Sequence, residues 1–357
     1  MKKNIMLLCF SIIFSLCIVE ITLRCFDLTP TVASLRVGHY TLSDDPLLRF
    51  ELLKNQEAYE GDNAPEYIFN DGVNWGGFHT NSFGFRDIER TIEKPDNITR
   101  IAVLGDSITM AINVDLKNRY TELLEDRLND LAGPDEKYEV MNFGVSGYDM
   151  LQEAIILKRD VLRFNPDIVI FGYCLNDYNT LSDGGAFKML IKQQKGKDRN
   201  WSRRLVNDNK VPVKRYLYKS ALVKLILFAI TASQGMDDSQ LIDIDAEESR
   251  NLLDEACSRI EKARVQYGFR ILIVIFPAFD KLSSYPYWPL HLMIKEKAMH
   301  YKWPFLDLHG HYLSLAKEDG KEFRDTPNDK IHPNARGHKI AAEAIASFLK
   351  KRILQNQ

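Results

Sequence analysis

The chain has 357 residues, 45% of them hydrophobic and 27% charged, with a formal net charge of -2 at pH 7. Such a chain reads as an ordinary globular protein, long enough to bury a full core in one large domain or two small ones. The near-balanced charge gives no reason to expect a nucleic-acid or acidic partner, and no nucleic acid is expected.

Residues 1–26, "MKKNIMLLCFSIIFSLCIVEITLRCF", stand apart. Lys2 and Lys3 precede a nearly unbroken apolar stretch from Ile5 to Val19, the charge-then-apolar order of a secretory signal. No lipobox precedes Cys9, Cys17 or Cys25, and no small-x-small cleavage site stands out. With Glu20 and Arg24 paired one turn apart, the helix runs on to Phe26, and residues 5–26 span roughly 33 Å, enough for a bilayer core. The preferred reading is an uncleaved single-pass anchor with its N-terminus in the cytoplasm. A cleaved signal is the alternative, and a buried soluble helix is the weakest reading. Either of the first two places the remainder outside the cytoplasm, in a periplasm or beyond the cell. Three of the five cysteines lie in this segment. Cys174 and Cys257 are too few for a disulfide framework and read as buried apolar thiols.

Residues 27–99 read as a polar stalk and cap without strong periodicity, and residues 100–354 as the main domain. There, short apolar runs suited to buried parallel strands occur at 101–105, 138–142, 167–173, 271–276 and 304–308. Helical patterns alternate with them at 120–131, 150–162, 247–268 and about 335–352. This alternation predicts a parallel sheet covered on both faces, with ligands beyond the carboxyl ends of its strands. A long insertion at 178–246 breaks the alternation; from Lys188 to Lys224 it holds twelve Lys or Arg against Asp198 and Asp208, before the apolar stretch 220–230. The plain reading is a solvated basic face beside a core helix. The sharper one is a surface for anionic headgroups or an anionic polymer.

The strand ends collect the chemistry. Gly105, Asp106 and Ser107 follow the first strand, and "NFGVSGYD" (142–149) follows the second. "GYCLND" brings Asn176 after the third, and "DKIHPNARGH" (329–338) sets Asp329 three residues before His332. A serine hydroxyl needs a base, a neutral imidazole serves as one, and a carboxylate fixes its tautomer and stabilises the imidazolium. The oxyanion of a tetrahedral intermediate needs donors, which the Ser107 N–H, the Gly147 N–H and the Asn176 amide can supply. Each motif alone has a plainer reading: Ser107 as a helix cap, the glycines as a turn, His332 as a loop residue. Together, in this order and at these places, they point to acyl transfer.

These four blocks, "LGDSIT", "NFGVSG", "GYCLND" and "DKIHP", resemble those of the SGNH (GDSL) hydrolase superfamily, over about residues 100–350. "TNSFGFRD" (80–87) extends the similarity to a stretch found in membrane-anchored bacterial members. The resemblance implies a three-layer α/β/α sandwich around a flavodoxin-like five-stranded parallel sheet. It assigns Ser107 as nucleophile, His332 as base, Asp329 as orienter, and Ser107 N–H, Gly147 N–H and Asn176 as the oxyanion hole. Gly144 competes with Gly147 for the glycine role, and Gly147 fits the block better. Anchored members often carry glycine a few residues past the serine, where this chain reads "ITMAINV".

The expected activity is hydrolysis of an O-acyl, above all an O-acetyl, ester on a carbohydrate or lipid, outside the cytoplasm and at the membrane through residues 5–26. An acyltransferase with a sugar hydroxyl as acceptor uses the same residues and ranks second. A non-catalytic carbohydrate-binding or polysaccharide-assembly module ranks third, and a lipase with 220–230 facing the acyl chain is a further variant. No cofactor or metal is expected. His309 and His311 alternate on a stretch read as extended and could face one metal, but no third ligand accompanies them.

Overall fold

The computed structural model describes residues 2–25, 40–45, 47–48, 50–55, 79–175, 222, 247–327 and 329–354. The chain divides into two compact units. One comprises Met1–Gly38, Tyr59–Asn74 and Ile191–Gln240; the other comprises His39–Ala58, Trp75–Leu190 and Leu241–Gln357 and carries the sheet.

In the first unit α1 (Lys2–Cys25) is a 24-residue helix. Its described side chains are Leu7, Ser11 and 14–23, among which Leu7, Phe14, Leu16, Ile18, Val19 and Ile21 are exposed. Among the described residues no helix is long and apolar enough to cross a membrane. Glu20 accepts a hydrogen bond from the Leu222 amide at 2.9 Å. The rest of the basic insertion lies outside the described residues, as does the Arg24 side chain.

In the second unit a small antiparallel hairpin pairs β1 (Tyr40–Leu42) with β2 (Phe50–Leu52). The main sheet has five parallel strands: β3 (Ile98–Gly105), β4 (Lys137–Asn142), β5 (Ile168–Tyr173), β6 (Arg270–Ile275) and β7 (Phe305–Asp307). All five sequence-predicted strands are present, in the order β4-β3-β5-β6-β7. This is the flavodoxin-like order, and the direction of strand addition reverses at β3. With the right-handed crossovers usual for parallel strands, this order puts α3 (Tyr120–Asp130) on one face and α4 (Met150–Ile156) and α5 (Glu247–Tyr267) on the other. The C-terminal helix α8 (Ala335–Leu349) packs with α3, and α4 packs with α5. Two further helices, α2 (Ser107–Met110) and α6 (Trp288–His300), lie in strand-to-strand connections, and α7 (His309–Leu315) follows β7 ahead of α8.

Local chemistry ends these elements. Gly268 at φ +79° stops α5 in the left-handed conformation that glycine adopts freely. The predicted helix 150–162 is regular only to Ile156; a π turn (Leu157–Val161) and a 3₁₀ turn follow, closed by Asn165 at φ 53° just before Pro166. A capping box between Asp149 and Gln152 starts α4.

The described part of 27–99 is not a detached stalk. Arg86 and Asp87 are 1% and 2% exposed, and Phe50 meets the Tyr148 ring at 5.3 Å. A segment without helical or strand period is anchored here by buried polar groups, which periodicity does not register.

Candidate active site

β3 is buried from Arg100 onward and stops at Gly105. A Cβ at Gly105 would lie 2.0 Å from Thr109 Oγ1 and 3.0 Å from Gly172 O, so only glycine lets the chain turn this tightly. Asp106 then caps α2, its carboxylate accepting the Ile108 amide at 2.9 Å. Ser107 is thus the first residue of a four-residue helix at the carboxyl end of the strand where the sheet order reverses. Ala111 ends α2 at φ 49° and ψ 50°. Ala111 is thus a non-glycine residue in a left-handed backbone, a locally strained position.

The D-x-x-H turn closes on itself. Asp329 Oδ1 accepts the amides of Ile331 and His332, each at 2.9 Å, and Asp329 Oδ2 lies 2.7 Å from His332 Nδ1. His332 Nε2 lies 2.8 Å from Ser107 Oγ, across 225 residues of chain. With Nδ1 donating to Asp329, Nε2 is left as the acceptor for the serine hydroxyl. Ser107 Oγ also lies 3.2 Å from Asp106 Oδ2.

Burial pulls the His332 imidazole down, but the hydrogen bond and charge of Asp329, with the charges of Asp106 and Asp325, more than compensate and raise its pKa above the ordinary histidine value. Burial pushes Asp329 the other way, yet His332 and the two backbone amides hold it below the usual carboxylate range.

The turn is tied down on several sides. Phe279 N–H donates to Lys330 O at 2.6 Å, Asn113 Nδ2 to Pro333 O at 2.8 Å, and Asp325 N–H to His332 O at 2.9 Å. Asn334 caps α8 through the Gly337 amide and also donates to Glu322 O and Arg324 O.

The two glycines after β4 have different tasks. A Cβ on Gly144 would meet Met110 N at 2.4 Å, so Gly144 lets the loop lie flat against α2. Gly147 has φ +82°, and a Cβ there would be in ordinary contact with Phe50 Cζ at 3.6 Å, so its backbone conformation, not crowding, favours glycine. Its surface is exposed, and its N–H has no protein acceptor among the described residues. Asn176 lies outside the described residues.

Some residues that shape this region were not singled out from sequence. Arg86 donates to Met110 O, Ala111 O and Val114 O, and Asn142 donates to Thr109 O. "TNSFGFRD" and "NFGVSG" both drew notice as motifs, but nothing local says which carbonyls their side chains meet.

His309 and His311 are not on an extended stretch; they begin helix α7, where positions two apart point about 200° from each other. His309 Nε2 faces Leu282 O at 2.9 Å. Among the described residues no group of three His, Cys, Asp or Glu could hold a metal ion. Cys174 and Cys257 are buried and unbridged, and burial pushes the Cys257 thiol up to about 12, which keeps it unreactive. A cavity of about 660 Å³ opens at the other end of the sheet, beside Arg270 and Pro304, and shares none of the residues gathered around Ser107.

The model of the GDSL-like lipase/acylhydrolase family matches residues 103–340. An acetylxylan esterase of Xylanibacter ruminicola is 25% identical over 263 residues, covering 71% of this chain and 44% of the relative, so the chain spans less than half of that protein's length. Similar solved structures include TesA, at 15% identity, 71% of this chain, 99% of that one and a TM-score of 0.42. The acetyl xylan esterase AlAXEase is similar at 17% identity, with 70% and 98% coverage and a TM-score of 0.42. With its matched region running from within β3 into α8, the chain belongs to the GDSL-like lipase/acylhydrolase family.

Proposed function

We propose that this protein is a serine esterase that hydrolyses an O-acyl, above all an O-acetyl, ester carried on a carbohydrate. The observation that carries the reading is the hydrogen-bonded line Asp329–His332–Ser107, with distances of 2.7 and 2.8 Å. The acetylxylan esterase relative supports the choice of acyl group and alcohol.

In the proposed reaction Ser107 Oγ attacks the ester carbonyl as His332 Nε2 takes its proton. Asp329 holds the ring in place and stabilises the imidazolium. The oxyanion is met by the amides of Ser107 and Gly147 and by the Asn176 side chain. His332 returns the proton to the leaving alcohol, and a water, activated by the same nitrogen, releases the acid from the acyl-enzyme. The Asp329 charge that raises the His332 pKa also stabilises the imidazolium formed when the ring takes the serine proton.

Residues 5–26 are proposed as a membrane anchor with the sheet-bearing unit outside the cytoplasm. The Lys2–Lys3 start, the apolar run and the exposed Leu7, Phe14, Ile18, Val19 and Ile21 support this. Membrane fractionation of the full chain against one lacking residues 1–26 tests it. A full chain found only in the soluble fraction would end the proposal.

The activity is tested with the purified full chain, wild type and Ser107→Ala, on a chromogenic acetyl ester and on acetylated xylan, with and without an unacetylated sugar. Ser107-dependent acetate release that ignores the added sugar is the expected result. Acetyl transfer onto the sugar would make the protein an acyltransferase. Asn176→Ala is expected to lower kcat by about 10²–10³ as an oxyanion donor; a loss of only a few-fold would remove it from that role.

A further inference from the structure

We propose that Arg86, acting with Asn142, is a positioning residue for the nucleophile: the pair holds the carbonyl end of the short helix that begins at Ser107. This inference rests on the serine-esterase reading.

A four-residue helix cannot hold its own shape, because nucleation fixes several residues for each hydrogen bond gained. Its last carbonyls also lack intrahelical partners. Here those carbonyls are met from elsewhere in the chain. Arg86 Nη1 donates to Met110 O at 3.0 Å and to Ala111 O at 2.6 Å, and Nη2 donates to Val114 O at 3.0 Å. Asn142 Nδ2 donates to Thr109 O at 2.7 Å and to Thr121 Oγ1 at 3.0 Å. Four carbonyls between 109 and 114 are thus held by two side chains, each 1% exposed. A guanidinium at the negative end of a helix is favoured, and its planar fork can serve several oxygens at once.

The brace is itself braced. Asp87 Oδ2 accepts the Asn142 backbone N–H at 3.1 Å, and Arg119 donates to Arg86 O while lying 3.6 Å from Asp87. Asn142 Oδ1 also accepts the Gly144 amide at 2.9 Å, so one side chain joins the end of α2 to the loop that carries Gly147. Asn113, inside the braced turn, donates to Pro333 O beside His332. Nucleophile, glycine loop and base are therefore all tied to the turn that Arg86 holds.

An apolar side chain of similar volume can fill the space of Arg86, at the stability cost of leaving the three carbonyls without their donor. It cannot, however, hold three carbonyl oxygens. A role in stability alone and a role in positioning thus make different predictions for Arg86→Met.

The test uses the full chain as wild type, Ser107→Ala, Arg86→Met, Arg86→Lys and Asn142→Asp, each assayed well below its own Tm. Two readouts are taken: kcat and KM on a chromogenic acetyl ester, and the rate at which a fluorophosphonate probe labels Ser107. For Arg86→Met, kcat and labelling are expected to fall together, roughly tenfold to a hundredfold, with KM changed less than about threefold. Arg86→Lys, which keeps the charge but loses the fork, is expected to recover part of the loss. Asn142→Asp keeps the acceptor for Gly144 and loses the donor to Thr109, and carries the same expectation if Arg86→Met does not fold. Lower Tm with kcat and labelling within about threefold of wild type would reduce the pair to a structural role and overturn the proposal. Equal rates in wild type and Ser107→Ala would overturn the serine-esterase reading itself, and the brace with it.

Discussion

Two Asp–His pairs sit at the carboxyl side of the same sheet, nearly identical in geometry and opposite in setting. Asp329 Oδ2 lies 2.7 Å from His332 Nδ1, and Asp307 Oδ2 lies 2.8 Å from His291 Nδ1. In both, burial raises the carboxyl pKa, and the histidine partner together with nearby backbone amides more than reverses it, leaving the aspartate below its ordinary range. The difference lies on the far nitrogen. His332 Nε2 meets Ser107 Oγ at 2.8 Å, with 31% of the histidine side chain accessible. His291 Nε2 meets the Tyr285 hydroxyl at 3.0 Å, with 2% accessible. Tyr285 is buried, accepts the Ala278 amide at 2.9 Å, and is pushed well above the usual phenol range by burial. Rings of Trp288 and His309 close around it at 5.4 and 4.6 Å. A carboxylate-oriented imidazole is therefore not in itself a catalytic feature. Of the two, only His332 turns its far nitrogen to a half-buried serine hydroxyl, the setting that the proposed esterase mechanism needs.

Breaking the accessible line should have the largest consequence. Ser107→Ala is expected to lower kcat on the order of 10⁶-fold with Tm nearly unchanged, measured by ester turnover and calorimetry. Activity equal to wild type would make the two Asp–His pairs equivalent and both structural.

Asp329→Asn should cost on the order of 10³–10⁴ in kcat, because the imidazole loses its preferred tautomer. It should also move the pH profile. His332 must be neutral to accept the serine proton, so kcat/KM falls as pH drops through its raised pKa. Without the Asp329 charge that pKa drops, and the acid limb should shift to lower pH. The linked stability effect has its own sign. A histidine raised above its unfolded value contributes stability fully present below that value, about 6.5, and lost as pH rises through the folded pKa. Unfolding titrations of Asp329→Asn should lose that dependence.

The buried pair should respond in stability instead. His291→Phe leaves Asp307 without its ring partner and is expected to cost about 1–3 kcal/mol in denaturant unfolding. Its kcat per folded molecule should stay within about threefold of wild type. Tyr285→Phe should have the smallest effect, about 1 kcal/mol, since it removes only the acceptor for Ala278 and the partner of His291. A large kcat loss in either variant would mean that the loop from β6, whose Phe279 amide holds Lys330 O, transmits their packing to the catalytic turn.

The contrast also explains what could be read without coordinates. Asp329 and His332 are three residues apart, and the carboxylate accepts the backbone of its own turn, so the pair is complete in a stretch of four residues. Asp307 and His291 lie 16 residues apart on β7 and α6, and nothing local in either stretch announces the other.

Alternation of apolar runs with helical patterns was sufficient for the five strands, because buried parallel strands and amphipathic helices carry different periods in the residues themselves. The GDS turn was legible for a similar reason: Gly105 and the Asp106 cap act within a few residues of Ser107. Helix ends were less so where a π turn after Ile156 kept the pattern but not the regular hydrogen bonding.

What only the tertiary structure decided is pairing across long distance in the chain. It sets His332 against Ser107, Asn113 against Pro333, Asn142 against Thr109, and Arg86 against three carbonyls of the turn that follows Ser107. Backbone carbonyls are identical at every residue, so no sequence pattern records which of them a buried guanidinium will find. Local order comes from residues that interact with near neighbours; the site comes from folding that brings distant ones within hydrogen-bond reach.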